Sequence, residues 1–337
     1  MSDQMASSVQ QPAETFPAFS ALVAAWNEAH MIERHVASFL ALCQHDSELI
    51  LCAGGADGTY DRARLAASNA TNVLVLEQRP GQGKQSALRA CWEHASQSWV
   101  YLTDADCLFS ERVLRSLFDA TTKGRRVVTG GSRPLPEQMT TPLVAYQAAR
   151  DAAYDAGRGD SADGILGRNA LFHRDLIEAA GAFSTPVRTG TDYHLSLQLN
   201  ALNEPIAYAR DAAIASEYPA SPPAYLRMWR RWIKNRLVHA PRANVGSLAV
   251  SLGLALAMLA APMAAVALRS WPLAGLALVL LVLASWARLR GLPHIDDAAA
   301  AMRLPVGVRI PGYVYLDQLA VVLAWADALT DRGRGRW

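Results

Sequence analysis

Trp99-Val100-Tyr101-Leu102-Thr103-Asp104-Ala105-Asp106 is an apolar run that ends in two carboxylates one residue apart. Its aromatic and β-branched content predicts a strand. Side chains at i and i+2 of an extended chain point the same way, so Asp104 and Asp106 share one side. Two carboxylates that close repel each other unless a cation stands between them. Oxygen donors of this kind suit a hard divalent ion, Mg²⁺ or Mn²⁺, which also binds substrate phosphates. A strand end running into a solvated turn has the same short pattern, so the setting decides.

Working outward, residues 19–25 (FSALVAA), 48–52 (ELILC) and 72–76 (NVLVL) read as three more strands. A helical pattern follows each: to residue 42 after Asn27-Glu28, over 59–68 after Gly54-Gly55-Ala56-Asp57-Gly58, and to residue 94 after Gly81-Gln82-Gly83-Lys84. Strands alternating with helices predict an α/β domain with a mostly parallel central sheet. Such sheets bind ligands at the carboxyl ends of their strands. Asn27, Glu28, Asp57, Lys84, Asp104 and Asp106 all fall at those ends. Further on, residues 126–130 read as a strand and 141–156 as a helix. Residues 164–172 read as a glycine-containing loop entering a strand, 174–180 as a short helix, and 205–214 as a strand. Asp192 precedes a helix over 193–202, where an acid is either an N-cap or a functional group.

Hydrophobic residues make up 51% of the 337 and charged residues 18%, apolar for a soluble protein. The excess lies late in the chain. Residues 243–268 and 270–287 carry no charge, and each run is long enough to cross a bilayer. Three regions follow: a polar lead-in over 1–17, read as disordered and unlike a secretory signal; a soluble globular domain over 18–242, the catalytic domain if the strand-end acids are functional; and a membrane region over 243–337. The net charge of +2 argues against nucleic acid as a partner. Cys43, Cys52, Cys91 and Cys107 lack metal-type spacing and read as buried thiols.

Residues 244–287 read as a helical hairpin. Its flanks, 227–242 and 288–309, are basic, which places both ends and the catalytic domain on the cytoplasmic face of the cytoplasmic membrane. The third apolar stretch, 313–329, contains Asp317 and Asp327 and is followed by arginines. It reads as an interfacial helix, with a crossing against the charge rule as the alternative. Pro305 and Pro311 are expected to break the segment before it.

Six segments in order resemble family-2 glycosyltransferases, which have the A-type (nucleotide-diphospho-sugar transferase) fold. They are Ala24-Ala25-Trp26-Asn27-Glu28, Gly54-Gly55-Ala56-Asp57-Gly58-Thr59, Gly83-Lys84-x-x-Ala87-Leu88, Asp104-Ala105-Asp106, Thr191-Asp192-Tyr193 and Arg231-Trp232. The last looks like the end of the Gln-x-x-Arg-Trp motif of membrane-bound synthases. The resemblance implies a nucleotide-sugar donor, with a lean to uridine, and a Mg²⁺ or Mn²⁺ cofactor held by Asp104 and Asp106. Asn27, Glu28, Asp57, Lys84 and Asp104 would bind the donor. Asp192 would be the general base of an inverting transfer. Arg231 and Trp232 would contact diphosphate and acceptor; on their charge alone, Arg230, Arg231 and Lys234 are also membrane-surface contacts.

The departures carry information too. Ala53 stands where the family has a base-contacting Asp, Thr191 replaces a Glu, and Met228 replaces the Gln of Gln-x-x-Arg-Trp. The last favours one sugar per acceptor over polymerisation. A membrane-bound transferase is expected to act on a lipid or lipid-linked acceptor. Two other readings stay open: a processive polysaccharide synthase, and a degenerate nucleotide-sugar-binding subunit.

Overall fold

The computed structural model describes residues 16–42, 46–187, 189–239, 245–290, 293 and 302–332. Most of the expected lead-in, together with Cys43 and Arg242, lies outside the described residues. The lead-in expected over 1–17 ends earlier than its polar composition suggests. Phe16 stacks on Phe118, with ring centroids 5.8 Å apart and planes 2° apart, and so belongs to the folded domain.

The first half is a run of strand–helix units. Strands β1 (Phe19–Trp26), β2 (Glu48–Gly54), β3 (Val73–Glu77) and β4 (Trp99–Thr103) are parallel, in spatial order β3-β2-β1-β4. Helices α1 (Ile32–Leu42), α2 (Thr59–Ala66) and α3 (Gly83–Trp92) connect them. These strands are apolar on both sides because helices cover both faces. Phe19, Val23, Leu49, Leu51 and Tyr101 enter one cluster. Leu22, Ile50, Val100 and Leu102 enter the other. Period-two alternation therefore feeds two cores from one set of strands.

Past β4 the sheet changes character. The two-residue β5 (Cys107–Leu108) leads to α4 (Glu111–Thr121), β6 (Val127–Pro134), α5 (Pro142–Ala156), the short β7 (Ser161–Ala162) and β8 (Asn169–His173). Then come α6 (Arg174–Ala179), α7 (Thr191–Ala201) and β9 (Ile206–Ser216). β8 inserts antiparallel between β4 and β6, and β9 pairs parallel with β6. The sheet is mixed, with its parallel part first. Helix α4, absent from the expected elements, buries Val113, Leu114, Leu117 and Phe118, an amphipathic spacing.

The chain then forms α8 (Pro222–His239), the hairpin α9 (Val245–Ala267) and α10 (Trp271–Leu289), and α11 (Arg303–Arg332). Three helices are long and apolar enough to cross a membrane: 246–267, 271–289 and 303–330. The expected break at Pro305 and Pro311 does not occur, since α11 runs through both. Pro305 sits in the first turn, where its missing N–H has no helical partner to lose. At Pro311 packing overrides propensity: Val306, Ile310 and Val314, one residue every four, are buried against Tyr146, Tyr225 and Met258.

Candidate active site

Strand register builds the centre. Thr103, the last residue of β4, pairs with Asn169, the first of antiparallel β8. The residues just beyond, Asp104 and Arg168, therefore meet at the sheet end. Arg168 Nε is 3.8 Å from Asp104 Oδ2, and its Nη1 is 3.9 Å from Asp106 Oδ2. Arg168 Nη1 also donates to Ser216 Oγ at 2.5 Å. From the other side Lys84 Nζ donates to Asp104 Oδ1 at 2.5 Å. Lys84 is aimed there by the start of α3, where Gly83 has φ +70°, a left-handed backbone that glycine adopts without strain.

The charges split the acid pair. Burial alone raises the Asp104 carboxyl, but Lys84 and Arg168 more than reverse it, so Asp104 lies below the usual carboxylate range. Asp106 goes the other way: burial raises it, Arg168 pulls it down, and the Asp104 charge pushes it back up. Burial lowers the Lys84 ammonium, while Asp104 and then Asp192 raise it above its ordinary value.

The donor set fits a hard divalent ion. Both acids offer oxygen only, and their side chains are 24% and 22% exposed, open at a mouth. Among the described residues no group of three or more His, Cys, Asp or Glu makes a closed cage. Two carboxylates completed by water and substrate phosphates is the coordination Mg²⁺ and Mn²⁺ accept.

The strand-end residues divide between the centre and its supports. Glu28 is pushed up to about 7, first by burial and then by the Asp106 charge, so it borders the acid pair. Asn27 has φ +60°; its Oδ1 accepts from Ala56 N–H at 3.0 Å, and its own N–H donates to Gly54 O at 3.0 Å. It ties the β1 and β2 ends together. Asp57 accepts on both oxygens, one from the segment after β1 and one from the start of α2. Oδ2 accepts from Ala29 N–H at 3.0 Å, and Oδ1 accepts from Thr59 N–H at 3.1 Å and Thr59 Oγ1 at 2.6 Å. These bonds hold in shape the exposed turn that the resemblance assigns to the donor. Ala53 is fully buried in the apolar cluster, so position 53 presents no acid to a base.

Asp192 lies in the first turn of α7, after Gly190 in the left-handed region at φ +70°. Its Oδ1 accepts from Tyr193 N–H at 2.9 Å. It packs on Gly167, where any Cβ would stand 2.6 Å from Asp192 Cβ. Lys84 feels the Asp192 charge, and Asp104 feels that of Arg231. The Arg168 guanidinium lies 5.9 Å from the Trp232 ring centroid, which brings α8 to the centre. Lys84, Asp104, Asp106, Asp192, Arg231, Trp232 and Glu28 thus converge. Arg168 is the residue sequence reasoning missed. Its signal was the tripeptide Gly167-Arg168-Asn169 entering a strand, which becomes informative only once that strand is known to pair with β4.

The family model "Glycosyltransferase like family 2" matches residues 17–235. No curated protein matches the sequence. Among solved structures, the mannosyltransferase PcManGT from Pyrobaculum calidifontis, in complex with GDP-Man and Mn²⁺, superposes with a TM-score of 0.56 at 19% identity, over 95% of this chain and 89% of that one. Glucosyl-3-phosphoglycerate synthase from Mycobacterium tuberculosis gives a TM-score of 0.45 at 21% identity, over 66% of this chain and 80% of that one. With the family model spanning the whole sheet and its converging acids, this chain belongs to glycosyltransferase family 2 and is a glycosyltransferase.

Proposed function

We propose that this enzyme transfers one sugar, with inversion, from a nucleotide-sugar, with UDP-sugars the first candidates, to a hydroxyl or phosphate of a membrane lipid or lipid-linked acceptor. The observation that carries the reading is α8. One helix brings Arg231 and Trp232 to the acid centre and packs its other face on α11, with Ile233 and Leu237 against Ala324, Trp325 and Ala328. An acceptor living in the membrane meets the donor site along that helix.

Asp104 and Asp106 would hold Mg²⁺ or Mn²⁺, which supplies counter-charge to a departing diphosphate. Lys84 and Arg168 add fixed cations on the same side. Glu28 borders the donor pocket, with Asn27 and Asp57 shaping its loops. Asp192 takes the proton of an acceptor hydroxyl as that oxygen attacks the anomeric carbon. Met228 packs into the apolar cluster around Tyr146 and Tyr225, so no amide at that position guides a growing polymer. This supports single transfer.

The same contacts support an interfacial α11. Asp317 accepts from Tyr146 OH at 2.7 Å and from Tyr225 OH, and Asp327 pairs with Arg230. These acids are ten residues apart, roughly 15 Å of helix. A crossing α11 would carry one pair toward the bilayer centre, together with a basic stretch of α8, at a cost of several kcal/mol. We infer that the α9–α10 hairpin enters the cytoplasmic membrane, with α11 packed along its cytoplasmic half as far as Met258 and Leu280, and with α8 and the catalytic domain on the cytoplasmic face.

The test is a panel of radiolabelled nucleotide-sugars given to the full-length protein in membranes with Mn²⁺ and lipid extract. One labelled sugar in an organic-extractable product supports the reading. Label in high-polymer product supports a processive synthase, and no transfer from any donor supports a degenerate subunit.

A further inference from the structure

A cavity of about 630 Å³ lies on the membrane side of the centre, between the end of α5, the Gly130-Gly131 bend of β6, α8 and the C-terminal end of α10. Its wall includes Gly164 and Leu166, in the loop whose Gly167 packs on Asp192. Its other wall includes Trp232, whose ring faces Arg168. The cavity therefore adjoins the proposed base and leads away from the metal-binding acids.

Its chemistry is cationic and aromatic. Arg150, Arg158, Arg236 and Arg288 line it, against two acids, Asp151 and Asp155. Arg150 pairs with Asp151 at 3.2 Å and Arg288 with Asp317 at 2.8 Å. Arg158 and Arg236 form no ion pair among the described residues, and Arg158 is held instead over the rings of Tyr154 and Tyr208. The Tyr208 hydroxyl, on a residue only 4% exposed, is turned to the Asp155 carboxylate. Two guanidinia without a carboxylate in an ion pair, one of them donating only to Tyr154 OH at 2.8 Å, suit a multivalent anionic oxygen ligand. α10 closes one end of the cavity with Ala287 and Arg288, and on the same helix Val279, Val282, Leu283 and Trp286 are more than half exposed.

We propose that this cavity is the acceptor subsite for the phosphodiester head of an anionic lipid. The phosphate is gripped by Arg158 and Arg236, the acyl chains run out along α10, and a hydroxyl beyond the phosphate reaches toward Asp192. The proposal rests on the transferase reading above and names its acceptor class. The phosphate is the handle and the hydroxyl the nucleophile, so the proton still passes to Asp192.

Binding, measured without turnover, tests it. Full-length protein in neutral detergent is titrated with dioleoyl phosphatidylglycerol and followed by native mass spectrometry. Dioleoylglycerol, which lacks the phosphate, and glycerophosphoglycerol, which lacks the chains, are the comparison ligands. Phosphatidylglycerol is expected to bind with Kd at least about tenfold below either, the effect of one charge-assisted contact. Arg158→Ala and Arg236→Ala should each weaken it about tenfold or more, with Arg158→Lys recovering part of the loss. Arg112→Ala, an exposed arginine on α4 paired with Asp211, should bind as wild type does. Equal binding of dioleoylglycerol removes the phosphate grip, and equal binding of glycerophosphoglycerol assigns the cavity to a soluble phosphate. Equal losses in all three alanine variants reduce the effect to surface charge, and no loss in Arg158→Ala or Arg236→Ala overturns the site. Nucleotide binding with Mn²⁺, measured alongside, separates the two readings. If nucleotide binds and the lipid does not, the acceptor subsite falls alone; if nucleotide does not bind, the transferase reading fails first.

Discussion

Gly167 and Asp192 are packed so closely that a Cβ on Gly167 would stand 2.6 Å from the Asp192 Cβ, and 3.3 Å from its Oδ2. Only glycine leaves room for the proposed base at that wall. Gly167→Ala is expected to displace the carboxylate and cost roughly 1–3 kcal/mol in stability from overpacking. Because about 1 Å of misplacement costs on the order of 100-fold in rate, kcat should fall by that order. Nucleotide affinity should fall less than kcat, because the atoms that a Gly167 Cβ would meet all belong to Asp192. Steady-state transfer assays beside nucleotide titration check it.

Asp192→Asn keeps the shape of the base and removes its basicity. Transfer is expected to fall roughly 10²–10⁴-fold while Mn²⁺-dependent nucleotide binding persists. Asp106→Ala should instead weaken nucleotide binding in Mn²⁺ and leave the metal-free value unchanged. Calorimetric titration with and without the metal separates the two roles.

Arg168 serves Asp104, Asp106 and Ser216 from one planar guanidinium. Lysine offers one point charge and cannot make that set of contacts. Arg168→Lys is expected to lower kcat/KM about tenfold or more, and Arg168→Ala further. A Lys variant with wild-type kcat/KM would mean that the guanidinium geometry is unused.

His35 is fully buried, and burial holds its pKa down to about 4 from 6.5 despite the hydrogen bond to the Cys107 carbonyl at 2.7 Å. Between those values the unfolded chain binds a proton that the folded chain refuses. Stability contributed here is therefore intact above pH 6.5 and is lost as pH falls toward 4, by up to about 3 kcal/mol. His35→Asn is expected to flatten the fall in Tm between pH 7 and pH 5. Differential scanning fluorimetry of the full-length protein at those two pH values reads the slope.

Asp317 sits among Tyr146, Tyr225 and Arg288 with its side chain 3% exposed. Removing its charge strands the arginine and both hydroxyls. Asp317→Leu is expected to destabilise by roughly 3–5 kcal/mol, read as loss of folded protein at 37 °C. With α11 interfacial, a tag after residue 337 should be cleaved by protease in inverted vesicles and protected in right-side-out ones. The opposite pattern places α11 across the bilayer.

Local pattern was enough for β1 to β4, because each strand is a short apolar run punctuated by glycine or acid, and a parallel sheet needs little else. It marked Asp104 and Asp106 as a pair, but not how they come together: the strand stops at Thr103, the two acids sit in a turn closed by Cys107 N–H on Asp104 O at 3.1 Å, and Arg168 lies against both rather than the pleat aligning them. It failed where function depends on pairing distant in sequence. Arg168 owes its place to the register of β8 on β4, 66 residues away from Thr103 by its partner Asn169. The sequence marked Asp57 but did not show that Ala29 and Thr59 would bond to its oxygens. Pro311 looked like a break because propensity is visible in sequence and the packing of Ile310 and Val314 is not. In α8 the motif Arg231-Trp232 was legible, whereas Trp229, whose ring lies 5.7 Å from that of Trp232, waited on the fold.

The contacts of α11 with α5 and α8 bear on how this enzyme can be handled. Composition changes sharply near residue 242, which invites cutting the chain there to obtain a water-soluble catalytic fragment. Yet Tyr146, Tyr225, Ile233 and Leu237 all lie on the catalytic side of that cut and bury their surface against residues 306–328. A fragment ending at 242 would bare that surface and strand the Arg230 charge. It is expected to aggregate, whereas the whole chain in detergent should stay monodisperse, because the catalytic half borrows part of its core from the apolar helices that follow it.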